Sequence, residues 1–286
     1  MIITITCNPA IDKTVYENKT VFDVGGKGIN VSRLLKQLGV ATIATGFVGK
    51  NNKNVVLDEL DRLNIEHHFI EIDGDVRTNT KKIVDKKLYE DNQKGPSISD
   101  GDVKRLETCL KQFKNEIIVL SGSCTSNIYY NLVSMLKKNN NYVILDCDNE
   151  LLIDGIKARP DVIKPNKNEI CKLFKCEYDE QIVIEKCKEL GLDLVCISLG
   201  DEGSLFVCGD AVYKCKALDI DYKNATGAGD AMVGAIAYSR LNNLGIIETI
   251  KLAVACASAA CEVMGSKAPD KENIFSKKER VDVIKL

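Results

Sequence analysis

The amino-acid sequence predicts an α/β fold in which a mainly parallel sheet carries helices on both faces. Short runs rich in β-branched residues alternate with helix-like stretches along the chain, a pattern typical of βαβ units. With 286 residues, 45% of them hydrophobic, the chain is long enough to bury a large core. The predicted strands are Ile2–Thr6, Ala41–Gly46, Ile117–Ser121, Tyr142–Asp146, Val162–Lys164 and Leu194–Leu199.

Helix signals lie between these strands. Apolar residues recur at helical spacing between positions 31 and 38 and are followed by Gly39, a residue type that suits a helix end. Further along, Ser99 and Asp102 match a capping box and predict the start of another helix.

Two segments, 13–24 and 73–96, fit this layered pattern poorly. The second is polar and lysine-rich, with short alternating stretches. We expect both to form strands of a small lid beside the main sheet. Since the sequence shows no repeat and no linker that would divide it, 1–286 is interpreted as one domain.

The composition argues against several classes of protein. Lys and Arg total 39 against 41 Asp and Glu, so no global positive field attracts nucleic acid or an anionic membrane. No apolar run reaches the length of a membrane span. The twelve cysteines include no CxxC pair, and the N-terminus carries no signal-peptide pattern. We therefore expect a cytoplasmic protein without structural zinc.

The sharpest local feature is the segment Asn224–Asp230, which precedes a helix of small and apolar residues. Gly227 and Gly229 allow a tight turn, so that backbone amides, including that of Ala228, converge at the positive end of the helix dipole. Asp230 lies beside this anion site and is a candidate general base for a hydroxyl. Taken alone, the motif is equally compatible with a glycine-rich turn and a capping aspartate.

A second cluster follows the first strand and opens a helix. Gly26 allows close approach of a ligand to the backbone, Lys27 offers a charge for a phosphate, and Asp12 and Asn30 offer groups for sugar hydroxyls. These residues predict a site for a phosphorylated polyol, although a helix entry with a surface lysine is the alternative. The segment matches neither a Walker A loop nor a dinucleotide fingerprint.

Further polar groups follow later strands or lie in the second lid segment. Arg77 and Asn79 are placed to reach a phosphate from the lid, whereas a lone arginine is usually solvated. Polar loops also follow two later strands, where ordinary turns are the alternative. Their candidate residues are Lys164, Asn166, Glu169, Ser198, Gly200 and Gly203.

Together these clusters resemble the ribokinase-like (pfkB) family of carbohydrate kinases, in the branch that contains 1-phosphofructokinase and tagatose-6-phosphate kinase. The resemblance spans nearly the whole chain. The blocks that carry it are Asn8–Asp12, Gly25–Asn30, Arg77–Asn79, Gly95-Pro96, Ser121–Ser123, Lys164–Asn166, Ser198–Gly200 and Gly227–Asp230.

The resemblance implies a three-layer α/β/α sandwich with a small β-lid, and ATP and Mg²⁺ as the ligands of a sugar-phosphate kinase. It implies Asp230 as the catalytic base and the amides of Gly227, Ala228 and Gly229 as the anion hole. The sugar-phosphate pocket would contain Asp12, Gly26, Lys27, Asn30, Arg77 and Asn79. The nucleotide side would contain Lys164, Asn166, Glu169, Ser198, Gly200 and Gly203. Of these, Glu169 would contact Mg²⁺ only indirectly.

The block Tyr89–Pro96 favours fructose 1-phosphate as the acceptor, while tagatose 6-phosphate and fructose 6-phosphate stay open. A sugar or nucleotide sensor that has lost catalysis is the alternative of another class, and Asp230 with its glycines argues against it. The stretch between Asp12 and Gly25 is shorter than the lid segment usual in the family. Lid closure and a homodimer formed through the lid are therefore left open.

Overall fold

The computed structural model describes residues 1–15, 19–84 and 87–286, so 16–18 and 85–86 of the two predicted lid segments lie outside the described residues. The strands are β1 Ile2–Thr6, β2 Ala10–Val15, β3 Thr20–Gly25, β4 Thr42–Gly49, β5 Glu66–Ile72, β6 Arg77–Val84, β7 Lys87–Asn92, β8 Ile117–Ser121, β9 Tyr142–Asp146, β10 Val162–Ile163, β11 Leu194–Ser198, β12 Ser204–Cys208, β13 Ala211–Cys215 and β14 Ile284–Lys285. The helices are α1 Lys27–Gln37, α2 Asn54–Arg62, α3 Asp100–Leu110, α4 Tyr129–Lys138, α5 Asn149–Gly155, α6 Lys167–Phe174, α7 Glu180–Leu190, α8 Ala228–Leu241, α9 Ile246–Cys261 and α10 Lys271–Lys278.

The main sheet has the order β14-β13-β12-β11-β10-β9-β8-β1-β4-β5. Its strands are parallel from β5 to β11, and the last three pair antiparallel at one edge. Every residue of β1 and β8 is buried, as expected of parallel strands covered on both faces. The predicted mainly parallel sheet is confirmed.

Each face of the main sheet is covered by a separate apolar layer. On one face, Leu106 and Leu132 from α3 and α4 pack with Ile118 of β8. On the other, Leu34 and Ile236 from α1 and α8 pack with neighbouring strand residues. These two layers confirm the three-layer sandwich, and no helix in the described part of the chain is long and apolar enough to span a membrane.

A separate four-stranded sheet has the order β3-β2-β6-β7. Its first hairpin begins at Ala10 and ends at Gly25, so it extends beyond the predicted segment 13–24 at both ends. This extension places Asp12 on a strand of the small sheet. The other two strands lie within the predicted segment 73–96.

Several boundaries agree with the sequence patterns, since β1, β8 and β9 begin and end at the predicted residues. The capping box of Ser99 with Asp102 is also present at the start of α3. The register of the central strands places Thr6, Ser121 and Asp146 side by side at their carboxyl ends. This is the edge at which open α/β sheets bind ligands.

We expect Gly46→Ala to lower the free energy of unfolding by more than Gly39→Ala, measured by urea denaturation. Both glycines have positive φ, 130° and 86°, so both alanines incur backbone strain of about 1–3 kcal/mol. A Cβ at Gly46 would lie 2.0 Å from the carbonyl oxygen of Thr6, whereas at Gly39 nothing lies within 4 Å. Equal losses of unfolding free energy in the two variants would show that the close approach of β4 to β1 does not exclude a side chain at position 46.

Candidate active site

A buried carboxylate, Asp146, lies between two lysines at the carboxyl edge of the main sheet. Its Oδ1 is 3.4 Å from the Nζ of both Lys27 and Lys164, and its side chain is fully buried. Lys27 also donates to Asp148 at 2.8 Å. Burial opposes the charge on Lys27, but Asp146 and Asp148 outweigh it and raise the pKa of Lys27 well above its usual value. Both lysines are therefore cations held in fixed places.

Asp230 lies in the first turn of α8, which begins after Gly227 in a left-handed conformation with φ of 81°. The carboxylate is buried, and Asn30 Nδ2 donates to its Oδ2 at 2.7 Å. Burial and the nearby Asp146 raise the pKa of Asp230 to about 6, against the opposing effects of Lys27, Asn30 and Lys164. Asp230 is thus ionised at neutral pH and still basic enough to accept a proton.

The start of α8 points backbone amides toward this charged cluster. The amide of Ala228 already donates to the carbonyl oxygen of Ala225 at 3.2 Å, which leaves those of Gly227 and Gly229 as the donors of the predicted anion hole. A Cβ at Gly229 would lie 3.1 Å from Lys164 Nζ. The lysine ammonium therefore lies beside the positive end of the helix dipole, where an anion is stabilised by both.

The small sheet presents one polar face to the same region. Its register pairs Asp12 with Asn79, and Asn79 Nδ2 donates to Asp12 Oδ1 at 2.9 Å. Arg77 and Lys81 share this face because side chains alternate along a strand, and Lys81 donates to Thr226 Oγ1. A Cβ at Gly25 would lie 2.2 Å from Asp12 Oδ2, so only glycine leaves room for the carboxylate.

Buried polar atoms without a hydrogen-bond partner concentrate at this site. Such atoms are costly and rare in folded proteins, so each calls for an explanation. Among the described residues there are nine, and six of them lie here. The six are Thr6 Oγ1, Asn30 Oδ1, Arg77 Nε, Asn79 Oδ1, Ser121 Oγ and Asp146 Oδ2. Their concentration indicates a polar site in which water or a polar ligand supplies the missing partners.

The two loops predicted for the nucleotide lie side by side. Asn166 caps α6 in a capping box with Glu169, and it forms a parallel bridge with Ser198. Gly200 has a φ of 65° with open space around it. Gly203 has a packing reason to be glycine, because a Cβ there would lie 2.0 Å from the carbonyl oxygen of Cys215.

Sequence reasoning missed Asp146 and Asp148, which neutralise Lys27, and Gly25, which makes room for Asp12. The signal for Asp146 was available, since it ends a correctly predicted strand at the ligand-binding edge. Its contacts with Lys27 and Lys164 join distant parts of the chain, and no local sequence motif predicts them. The structure brings the other predicted residues of the sugar side together around the same edge.

A buried carboxylate, a helix N-terminus with an adjacent lysine and a set of buried polar atoms suit a phosphotransferase that acts on an alcohol. The chain belongs to the pfkB family of carbohydrate kinases, whose model matches residues 1–273. As in other sugar kinases, ATP is its phosphoryl donor.

Two curated proteins with sequences similar to this chain are named 1-phosphofructokinase. The protein of Bacillus subtilis is 34% identical over 283 residues, covering 91% of this chain and 92% of its own length. The protein of Haloferax volcanii is 30% identical over 300 residues, covering 99% and 98%. The crystal structure of phosphofructokinase-2 from Escherichia coli, at 23% identity, has the same fold, with a TM-score of 0.90 over 98% of both chains.

We expect the stability gained by Asp230→Asn to grow as the pH rises from 4 to 7. The folded-state pKa of about 6 lies above the usual aspartate value of 3.8, so this carboxyl favours folding at low pH and loses that contribution as the pH rises through 6. Free energies of unfolding from urea denaturation should show this. The difference between variant and parent should increase by about 2–3 kcal/mol across this range. A difference independent of pH would contradict the raised pKa.

Proposed function

We propose that the protein transfers the γ-phosphoryl group of ATP to fructose 1-phosphate and forms fructose 1,6-bisphosphate. The observation that carries this proposal is the set of unpaired buried atoms Asn30 Oδ1, Asn79 Oδ1 and Arg77 Nε beside Asp230. Amide oxygens suit sugar hydroxyls, and a guanidinium suits a phosphate. The two relatives named 1-phosphofructokinase, aligned along nearly the full chain, support this choice of acceptor.

In this mechanism, Asp230 accepts the proton of the acceptor hydroxyl. Asn30 holds one oxygen of the carboxylate and leaves the other for the sugar. The amides of Gly227 and Gly229, with the ammonium of Lys164, stabilise the charge of the phosphoryl group during in-line transfer. Asp12 is held by Asn79 and orients a second sugar hydroxyl.

We assign the existing phosphate of the sugar to Arg77 and Lys27, with Gly26 allowing close approach to the backbone. Arg77 forms no ion pair among the described residues. Burial lowers the pKa of Arg77, and the nearby Asp12 and Asp148 partly oppose this effect. Lys27 already has two carboxylate partners. The charge of Arg77 is therefore less neutralised by neighbouring carboxylates than that of Lys27, and Arg77 is the stronger candidate for the phosphate.

The nucleotide phosphates are assigned to the loops that carry Lys164, Asn166, Ser198, Gly200 and Gly203. The described residues form no group of three or more His, Cys, Asp or Glu that could hold a metal by itself. That agrees with Mg²⁺, which usually keeps several waters and binds through phosphates and one or two carboxylates. Glu169, fixed by its capping box, fits this role through a water. The ion would neutralise charge on the phosphates.

Two further features belong to this proposal. Each of the twelve cysteines is a free thiol, which supports a reducing cytoplasm. Phe22 and Tyr89, 62% and 57% exposed, lie on the outer face of the small sheet, away from Asp12. Exposed aromatic residues on one sheet face support a homodimer that forms through it.

We expect release of ADP with fructose 1-phosphate and Mg²⁺, and a kcat about 10²–10⁴-fold lower for Asp230→Asn with little change in KM. A coupled assay with fructose 1-phosphate, fructose 6-phosphate and tagatose 6-phosphate separates the alternative acceptors. Full turnover in the variant would remove Asp230 as the base. Sugar binding without ADP release from any acceptor would favour the catalytically inactive sensor.

We expect Arg77→Ala to raise the KM for fructose 1-phosphate roughly 10- to 100-fold, since charge-assisted hydrogen bonds contribute about 1.5–3 kcal/mol. The KM for unphosphorylated fructose should change far less. Arg105→Ala is the matched control, because Arg105 is a half-exposed arginine on α3. Equal effects of Arg77→Ala on both sugars would place the phosphate elsewhere.

A further inference from the structure

Three of the free cysteines lie just beyond neighbouring strand ends at the catalytic edge. Cys7 follows β1, Cys147 follows β9, and Cys124 lies in the loop after β8. Cys7 and Cys147 are buried, whereas Cys124 is partly exposed. Because β1, β8 and β9 are adjacent and in register at Thr6, Ser121 and Asp146, the three thiols come from one small region.

Cys7 and Cys124 are direct neighbours. Each thiol is close enough to shift the pKa of the other, and Cys124 packs against the apolar cluster that includes Cys7. The adjoining residues are also bonded, since Asn8 Nδ2 donates to Ser123 Oγ at 3.2 Å. Neighbouring strands lie about 4.8 Å apart, and a disulfide requires Cα atoms about 4.4–6.8 Å apart. Cys7 lies one residue beyond the end of β1 and Cys124 three residues beyond the end of β8, so the two side chains come from adjacent strand ends.

The two thiols differ in exposure, since Cys124 is partly exposed and Cys7 is buried. Contact with Cys7 and the backbone amides of Ser126 and Thr125 lower the pKa of Cys124, which favours its thiolate. Contact with Cys124 and burial raise the pKa of Cys7. Burial and Asp146 raise the pKa of Cys147 too, so it is the least reactive neighbour. The partly exposed Cys124 is thus the thiol that an oxidant attacks, and Cys7 is the thiol placed to resolve it.

We propose that Cys7 and Cys124 form a reversible disulfide when the protein meets a peroxide, and that this bond reduces sugar binding. The Cys124 thiolate attacks one oxygen of hydrogen peroxide, the O–O bond breaks, hydroxide leaves, and Cys124 becomes a sulfenic acid. The Cys7 sulfur then attacks the Cys124 sulfur, the S–O bond breaks, and water leaves with the Cys7 proton. The two thiols lose two electrons, which peroxide accepts, and a dithiol reverses the change.

The bond would act on the sugar pocket through Asn8. This residue follows Cys7 directly and donates to the carbonyl oxygen of Lys94 at 2.9 Å. The next residue, Gly95, approaches so closely that a Cβ there would lie 2.2 Å from Asn8 Oδ1. Asn8 also leads into the strand that carries Asp12. A new covalent bond at Cys7 therefore disturbs a tightly packed junction between the main sheet and the small sheet.

The test treats the intact protein with graded hydrogen peroxide and follows two readouts. Mass spectrometry of the unreduced digest should show the Cys7 and Cys124 peptides joined, with a loss of two hydrogens. Kinase activity should fall through a rise in KM for fructose 1-phosphate and return with dithiothreitol. Cys124→Ser should keep its basal activity and need at least tenfold more peroxide for the same loss.

Cys109→Ser on α3 is the matched control, since Cys109 is also partly exposed, and it should respond as the parent protein does. A Cys124→Ser variant as sensitive as the parent, or a peptide joined elsewhere, would overturn the proposal. The activity readout rests on the proposed function, whereas the joined peptide does not. A protein without kinase activity that still forms the Cys7–Cys124 bond would refute the proposed function and retain the disulfide.

Discussion

The buried carboxylate of Asp146 is the interaction on which the site depends. It ends a central strand and pairs with Lys27, which opens α1, and with Lys164, which follows β10. Two ammonium groups this close would repel each other strongly in a poorly solvated interior. Loss of one partner from such a buried ion pair typically costs about 3–5 kcal/mol. Asp146 thus fixes the sugar loop and the nucleotide loop to one rigid strand end.

The same charges set the basicity of Asp230. Burial and Asp146 favour its protonated form, whereas Lys27, Lys164 and the amide of Asn30 favour the carboxylate. Burial and Asp146 outweigh the opposing groups and leave a pKa of about 6, below neutral pH but well above that of a solvated aspartate. A carboxylate held in this range is ionised before the sugar binds and accepts a proton readily. The base therefore depends on the ion pairs around it as much as on its own helix.

The sequence predicted the main sheet and indicated most of the candidate residues because these signals are local. Buried strands such as β1 and β9 appear as short β-branched runs, and Asp230 follows a glycine turn before a helix. The pairing of Asp146 with Lys27 depends on strand order and register, which no local pattern reveals. The first strand of the small sheet begins at Ala10, three residues before the predicted segment 13–24, because alternation cannot be recognised in a stretch as short as Ala10–Asp12.

The register of β2 matters for substrate recognition, because it decides which side chains face the candidate site. Asp12 pairs with Asn79 on the inner face, and Lys13 pairs with Phe22 on the outer face. A shift of one residue would turn Asp12 outward and bring Lys13 inward. The glycine at position 25 opposes such a shift, since only there does the backbone leave space for the Asp12 carboxylate. Strand pairing in the small sheet therefore places Asp12 and Asn79, and ion pairs in the main sheet place Lys27 and Lys164.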